Sequence, residues 1–535
     1  MRYSGDMSLS RARVLDHIRE NKYAYGIIGL GLLLQVFLIT RPLTFLLTNL
    51  LPDDAFYYFQ IARNIAHGLG STFDGIHKTN GYHPLWLLIL IPIFSVFSVG
   101  GLHDVTPIYV ALGTAVVLNA ATALIVLALI SRVTHNRLAR AFALALWAFN
   151  PFVIFESLNG LETSLALFFV AVFFFVALEA ERHDRLADYV RAGVVGGLLV
   201  LARIDMAFYV LAFSAWVVLK HGRNVSRLLR LLVPAGLIVL PWILWNYFGF
   251  GMLLTSAASA TPLVNHTLTA LDSGAGVVAS IKAVFYMIVT YGTDVLARTG
   301  ASWLVFIFLG SAIAFLADKS TQLPRSRKEV SVFLMLFVGF LALFLVDAGL
   351  RFTGRSYYFV SVNLFIALGA AYVFKLYGER VQQVGKIFCL LFVGALLTFG
   401  LGWYGTLRNQ FIGQEGMYQM AGWMSTHLPA GTSVGVFNAG LEGYFSSVRV
   451  VNLDGLVNNS AFVALKNHEL WKYLADQHIG YISDFDIYLT YRYKPFLGGV
   501  EMPLTLTELV RIPAGTGIHG SDSIPLYQIP QGSAQ

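Results

Sequence analysis

The stretch Asp53–Trp86 concentrates residues that could do chemistry, and it begins with two adjacent carboxylates, Asp53 and Asp54, directly after Pro52. A carboxylate can act as a general base by taking a proton from a hydroxyl group. Neighbouring positions on a helix point about 100° apart, so we expect the two side chains to have different roles. One would face a catalytic cavity, and the other would cap a helix or bind a cation. Alternatively, both cap the helix that begins at Ala55.

The motif KTNGYHPLW ends this stretch and contains further polar candidates. Asn80 and Gly81 mark a tight turn. Lys78 and His83 flank that turn, and either could bind a phosphate oxygen near a membrane surface. The alternatives are contact with lipid headgroups for Lys78 and a structural hydrogen bond for His83. Asn80 and Tyr82 are predicted to contact substrate.

Ionisable residues recur beside later apolar segments. Glu162 lies in SLNGLETSL, where it could position an acceptor, bind a metal or cap a helix. Arg203 and Asp205 interrupt LVLARIDMAFYVL, and a structural ion pair is the favoured interpretation there, with substrate binding as the alternative. Arg351 and Arg355 lie in DAGLRFTGRSYYFV. Guanidinium groups form bidentate contacts with phosphate, so both are predicted phosphate ligands, and headgroup contact is the alternative.

The composition is that of a polytopic membrane protein. Of 535 residues, 56% are hydrophobic and 13% are charged, against roughly 25% charged in soluble domains. The net charge of +7 is spread over short loops, as the positive-inside rule requires, and does not indicate nucleic-acid binding. Cys389 is the single cysteine, which excludes an internal disulfide and a cysteine metal cluster. No P-loop or HExxH pattern occurs.

Charge bias favours about eleven spans with the N-terminus inside. The segments 84–99 and 280–296 are interpreted as juxtamembrane helices, since this places every basic loop on one side. The acids and arginines named above then share the opposite, outer side, where the first loop covers 48–106. The predicted spans are 24–47, 107–130, 141–155, 164–180, 190–204, 206–219, 229–247, 301–317, 330–347, 357–374 and 386–404.

The composition changes after about residue 405. Helix-like segments alternate with the β-branched stretches SVGVFNAG, VRVVNLDG and GYISDF. This alternation predicts a small α/β domain on a parallel sheet, soluble and on the outer side. We therefore expect a membrane domain over 1–404 and a second domain over 405–535.

These motifs resemble the GT-C membrane glycosyltransferases. DDAFYY after a first span, ARNIAHGLG, TFDG and TNGYHPLW look closest to the bacterial branch that includes arabinofuranosyltransferases. NGLET fits that branch's second acidic loop, and ARIDM resembles its ARPDG-type turn with Ile204 in place of proline. FNAGLEGYF and VVNLDGLVN, which contain Asn438 and Asp454, look like its terminal domain, so both residues are predicted to contact substrate.

The resemblance implies an inverting sugar transfer from a polyprenyl-phosphate donor to a glycan, glycolipid or pilin-like acceptor. It further implies a location in a bacterial inner membrane, with a cytoplasmic N-terminus and a periplasmic terminal domain. Asp53 and Asp54 are the candidate bases, with Asp54 favoured, and Glu162 matches the second acidic position. The leaving phosphate would be stabilised by His83, Arg351 and Lys78. A divalent cation, Mg, Mn or Ca, would bind Asp53 and Glu162, although some relatives need none.

Two other functions fit parts of the sequence. A transporter or flippase of lipid-linked sugars could use the acids as an ion-coupled relay, but such proteins often show inverted repeats, and none is visible here. A silent binder of lipid-linked sugar would keep the motif without activity. The clustering of acids at span ends and the terminal domain favour the enzyme. Neither the sugar nor the acceptor follows from the sequence.

Overall fold

The computed structural model describes residues 4–97, 104–222, 225–273, 324–350, 356–377, 410–499, 506–517 and 520–530, with scattered positions in 278–290 and 394–407. Helices dominate up to residue 377. In chain order they are α1 (Ser4–Ile39), α2 (Asp53–Ala66), α3 (Pro84–Phe97), α4 (Thr106–Val133), α5 (Arg137–Ala148), α6 (Pro151–Ser157), α7 (Thr163–His183), α8 (Leu186–Ala202), α9 (Ala207–His221), α10 (Val225–Phe250), α11 (Ser256–Ser273), α12 (Pro324–Gly349) and α13 (Val362–Tyr377).

Six helices in the described ranges are long and apolar enough to cross a membrane. The number rises to seven if α5 and α6, which meet at a 50° bend, count as one span. The protein is therefore a polytopic α-helical membrane protein, and the described ranges do not confirm the predicted count of eleven spans. Predicted span 301–317 and most of 386–404 lie outside the described residues. So do much of the predicted juxtamembrane helix 280–296 and the arginines Arg351 and Arg355.

The structure corrects some predicted boundaries. The first span was expected over 24–47, but α1 ends at Ile39, and Pro42 precedes a short turn, Leu43–Phe45, and a π-helical segment, Leu46–Leu50. Proline cannot continue the helix because it lacks the N–H donor. The expected span 141–155 is broken between α5 and α6, where Asn150 caps α6 by accepting the N–H of Phe152. Helix α3 has only 14 residues, fewer than the roughly 20 that a span needs.

The C-terminal region forms a five-stranded mixed sheet with helices. Its helices are α14 (Gln414–His427), α15 (Gly440–Phe445), α16 (Asn459–Lys466) and α17 (Leu470–Asp476). The strands β1 (Ser433–Val436), β2 (Arg449–Asn452) and β3 (Tyr481–Ser483) pair in parallel, as predicted from the alternating segments. The hairpin of β4 (Thr507–Gly517) and β5 (Gly520–Gln528) adds two antiparallel strands, giving the order β2-β1-β3-β5-β4, and was not predicted.

One apolar core joins the membrane-proximal helices to the sheet domain. Phe56 of α2 contacts the rings of Tyr444 and Phe445 in α15, with centroids 5.6 and 5.5 Å apart. Phe59 stacks on Phe94 of α3 at 5.8 Å. The same core includes buried Met420 of α14. Helix α2 is therefore fixed between the bundle and the C-terminal domain, and this sandwich positions its first turn.

Candidate functional site

Asp53 and Asp54 lie in the first turn of α2 and point to different parts of the molecule. The Oδ1 atom of Asp53 accepts the backbone N–H of Leu441 at 2.6 Å, and Oδ2 accepts that of Gly440 at 3.2 Å. These are free amides of the first turn of α15. The capping role considered for Asp53 is thus present, but the capped helix is α15 and not α2. Burial raises the pKa of Asp53 to about 7, although both N–H donors oppose this shift.

Asp54 faces the membrane bundle. The Tyr357 hydroxyl donates to its Oδ2 atom at 3.1 Å. The ring of Tyr357 lies 5.8 Å from the guanidinium carbon of Arg203, and the ring of Tyr358 lies 4.8 Å from it. Arg203, both tyrosines and Ser361 also line a narrow, mainly apolar cleft beside α7. Asp54 is only partly buried, and its hydrogen-bond partner Tyr357 is one of the residues that line this cleft.

Arg203 is the centre of a buried charge cluster. Its Nη1 atom donates to Glu162 Oε1 at 2.7 Å, and its Nη2 atom donates to Asp205 Oδ2 at 2.6 Å. The predicted Arg203–Asp205 ion pair is therefore present, and Glu162 joins it. Burial alone would lower the pKa of Arg203, but the charges of Asp205 and Glu162 raise it well above its usual value. Glu162 precedes α7 yet makes no capping hydrogen bond.

His83 lies at the edge of this cluster. Its Nε2 atom is 3.7 Å from Glu162 Oε1, and its Nδ1 atom accepts the N–H of Ile204 at 3.4 Å. Burial lowers the pKa of His83, more than Glu162 raises it. The imidazole is therefore neutral near pH 7, with its proton on Nε2, because Nδ1 is the acceptor. The Tyr58 hydroxyl accepts the backbone N–H of His83 at 2.9 Å.

Asn438 and Asp454 lie on the Asp53 side of α2. The side chain of Asn438 donates to Asp484 Oδ1 at 2.8 Å. Asp454 faces the hydroxyl of Tyr57, which donates to Asp454 Oδ2 at 3.4 Å. Burial raises the pKa of Asp454 to about 8 and that of Asp484 to about 6. The structure thus brings these two predicted residues together with Asp53, apart from the Arg203 cluster.

The turn residues occupy different environments. Asn80 is fully buried: its Oδ1 atom accepts from the Asn459 side chain and the Ser256 backbone, and its Nδ2 atom donates to Asn246. Tyr82 donates to or accepts from Ser71 at 2.8 Å and packs on Trp242 and Trp245. Lys78 is exposed and pairs with Thr72 in an isolated β-bridge.

The sequence analysis missed the tyrosines that orient the site. Tyr57 and Tyr58 lie three and four residues after Asp54, and the pair Tyr357–Tyr358 begins two residues after the predicted phosphate ligand Arg355. Pairs of tyrosines beside ionisable residues are the signal that could have identified them, since buried Tyr needs a partner for its hydroxyl. Asp347 and Glu442, two buried carboxyls, were also missed.

The predicted metal ligands do not form a cation site. Among the described residues, no group of three or more His, Cys, Asp and Glu side chains could hold a metal ion. Both oxygens of Asp53 accept N–H groups of α15, and Glu162 is paired with Arg203. This donor pair does not fit a divalent cation, and we assign no catalytic step to one.

Comparison with solved structures identifies the fold. An oligosaccharyltransferase from Archaeoglobus fulgidus, tethered with an acceptor peptide containing the NVT sequon, is similar over 95% of this chain and 75% of its own, with 15% identity and a TM-score of 0.53. ArnT from Cupriavidus metallidurans bound to undecaprenyl phosphate is similar over 95% of this chain and 98% of its own, with 12% identity and a TM-score of 0.55. Both are GT-C membrane glycosyltransferases. The chain has the GT-C fold.

Three further findings complete the comparison. The same oligosaccharyltransferase in complex with Zn and sulfate gives 18% identity and a TM-score of 0.52, over 95% of this chain and 74% of its own. Residues 407–516 match a family described as "Domain of unknown function (DUF8728)". No curated protein sequence matches the chain significantly. The GT-C assignment therefore depends on the fold.

Proposed function

We propose that the protein is an inverting glycosyltransferase that moves a sugar from a polyprenyl-phosphate donor to a hydroxyl acceptor. Asp54 is the general base. The observation that carries this proposal is the divergence of the two aspartates. Asp53 has both oxygens occupied by amides of α15, whereas Asp54 accepts a hydrogen bond from Tyr357, which lines the cleft beside Arg203.

In the proposed reaction, Asp54 takes the proton of the acceptor hydroxyl as its oxygen bonds to the anomeric carbon. The bond from that carbon to the donor phosphate oxygen breaks, and its electron pair leaves with the polyprenyl phosphate. Attack opposite the leaving group inverts the anomeric centre. Neutral His83 can donate its Nε2 proton toward the phosphate, and preorganised donors of this kind lower the barrier. Lys78, Arg351 and Arg355 remain predicted phosphate ligands.

The lipid donor and the cellular location have indirect support. The ArnT structure is bound to undecaprenyl phosphate, which supports a polyprenyl-phosphate carrier in this fold. The arabinofuranosyltransferase-like motifs make arabinofuranose the first sugar to test. We place the site on the periplasmic face of a bacterial inner membrane, with a membrane domain over 1–404 and a periplasmic domain over 405–535. A glycan, a glycolipid or a pilin-like protein could each supply the acceptor hydroxyl.

Sugar transfer by the purified protein tests the proposal. Wild type and Asp54→Asn would be incubated with a panel of polyprenyl-phosphate sugars and acceptors, with and without EDTA, and the products analysed by mass spectrometry and NMR. We expect transfer with inversion by wild type and its loss in Asp54→Asn. Asp476→Asn, at an exposed position ending α17, is the matched control and should retain activity. Binding or flipping of the donor without any transfer would refute the enzyme and favour a transporter.

A further inference from the structure

Asp347 is a buried carboxyl group that has no role in the reaction proposed above. It lies near the C-terminal end of α12 and is 6% exposed. Within the described part of the chain, its Oδ2 atom has no hydrogen-bond partner. The carboxylate interacts electrostatically with Asp205 and Arg203, so it faces the same charge cluster as Glu162. A buried acceptor without a donor costs free energy, so it needs a physical explanation.

The hydrogen bonds of Arg203 go to its other two neighbours and not to Asp347. The Nε and Nη2 atoms donate to the two oxygens of Asp205, and Nη1 donates to Glu162. Three of the five guanidinium N–H groups thus donate to two carboxylates, and none of these three hydrogen bonds goes to Asp347. Among the described residues, the Asp347 Oδ2 atom is an acceptor that no donor reaches. A ligand that supplies a hydrogen-bond donor would satisfy this acceptor.

The chemistry of the cluster selects the kind of donor. The phosphodiester of the donor has acceptor oxygens and no O–H group, so it cannot donate a hydrogen bond to Asp347. A sugar hydroxyl is neutral and donates hydrogen bonds, so it satisfies a buried carboxylate without adding like charge. Tyr357 and Tyr358, whose rings lie 5.8 and 4.8 Å from the guanidinium carbon of Arg203, also line the narrow cleft next to it.

We propose that Asp347 is a specificity-determining residue that accepts hydrogen bonds from hydroxyl groups of the transferred sugar. This inference rests on the proposed function, because it places the sugar of the donor beside the Arg203 cluster. Recognition of the sugar then depends on Asp347, whereas recognition of the lipid phosphate does not. A site with a buried acceptor for a hydroxyl strongly rejects analogues that lack it, since the acceptor would stay unpaired.

Binding measurements can distinguish recognition of the sugar from recognition of its lipid carrier. Dissociation constants of wild type, Asp347→Asn and Asp347→Leu in nanodiscs would be measured for a polyprenyl-phosphate sugar and for bare polyprenyl phosphate. We expect Asp347→Leu to bind the glycosylated lipid about tenfold more weakly or worse, with binding of the bare lipid unchanged. Asp347→Asn keeps an acceptor oxygen and should lose less. If Asp347→Leu does not fold, the dissociation constants of Asp347→Asn provide the test.

A matched control excludes a general effect of altering a buried acid. Asp188, at the start of α8, is also buried, and its Oδ2 atom has no hydrogen-bond partner among the described residues, although His183 Nδ1 lies 3.8 Å from it. It lies about 22 Å along the helix from Arg203. Asp188→Asn should leave both dissociation constants unchanged. Equal weakening of both lipids by Asp347→Leu, or no change in either, would overturn the inference. Absence of transfer by wild type, with these binding differences present, would refute the enzyme and leave the sugar contact standing.

Discussion

Asp53 and Asp54 are identical neighbours in sequence, yet they belong to two different regions of the molecule. Asp53 belongs to the interdomain region, where both of its oxygens accept N–H groups of α15. Asp54 belongs to the bundle region, where it meets Tyr357 beside the Arg203 cluster. The helical rotation of about 100° per residue is enough to send one carboxylate to each side of α2.

The difference shows that one helix, α2, can both anchor the C-terminal domain and carry the proposed catalytic base. In the interdomain region the polar atoms that contact Asp53 are backbone amides, which cannot move without moving α15. In the bundle region the contacts come from a tyrosine hydroxyl and a charge cluster next to a cleft. The hydrogen bonds of Asp53 therefore attach α2 rigidly to α15 and fix the direction in which the Asp54 side chain points. Substitutions in either region can test this relation.

The largest effect on stability should come from Arg203→Met in the bundle region. The substitution leaves Glu162 and Asp205 buried without their cation, which costs about 3–5 kcal/mol. Thermal unfolding in detergent measures the loss. Arg191→Met is the control, because the Arg191 side chain is 73% exposed in its pair with Asp188 and such pairs contribute at most about 1 kcal/mol. Equal losses in both variants would contradict the buried-cluster description.

Gly440→Ala should weaken the interdomain region. A Cβ atom at this position would overlap the carbonyl oxygen of Asp53 and lie 2.9 Å from its Oδ1 atom, so α15 must move away from α2. Overpacking of this kind costs about 1–3 kcal/mol and should also slow transfer. Gly422→Ala in α14 meets no atom within 4 Å and should stabilise the protein slightly, since alanine favours helix. An unfolding temperature that falls for Gly440→Ala and rises for Gly422→Ala would support the role of close packing between α15 and α2.

Tyr357→Phe should slow catalysis without a large loss of stability. It removes the hydroxyl that donates to Asp54, and a hydrogen bond of this kind contributes about 0.5–1.5 kcal/mol, or about two- to tenfold in rate. Tyr444→Phe removes a hydroxyl that donates to the Asp104 carbonyl in the interdomain region. Steady-state kinetics should show a lower kcat for Tyr357→Phe alone. A similar reduction in both variants would argue against a special role for Tyr357.

A further prediction concerns the pH dependence of stability in the interdomain region. Burial raises the pKa of Asp454 to about 8, and burial with the charges of Asp484 and Asp53 raises that of Glu442 well above its usual value. Folded protein therefore holds protons that the unfolded chain has lost above about pH 4. Stability should fall as pH rises from about 4 towards 8, because the folded state binds more protons.

Glu442→Gln tests this dependence, since glutamine stays neutral at every pH. Thermal unfolding across the pH range should show a flatter curve for Glu442→Gln than for wild type. Glu415→Gln, at an exposed position in α14, should leave the curve unchanged. Curves of equal slope for wild type and Glu442→Gln would show that Glu442 does not contribute to it.

The sequence predicted much of this arrangement, within physical limits. Composition and apolar length were enough for a membrane bundle, and β-branched segments predicted the parallel strands. The two aspartates, Glu162 and the Arg203–Asp205 pair were recognised because ionisable groups are rare beside spans. The sequence could not predict which of the two carboxylates faces the membrane bundle and which faces the C-terminal domain. Asp54 meets Tyr357 and Asp53 meets Leu441 across hundreds of residues, and only the packing of α2 between two domains decides those contacts.

A side-by-side comparison of Asp53→Asn and Asp54→Asn tests the central claim most directly. Turnover, donor binding and thermal unfolding would be measured for both variants in the same sugar-transfer assay. We predict that Asp54→Asn lowers turnover about 10²–10⁴-fold with donor binding and stability retained. Asp53→Asn should lower the unfolding temperature and leave most of the turnover, because one amide acceptor is lost. Loss of turnover in Asp53→Asn, with Asp54→Asn active, would contradict the assignment of the base.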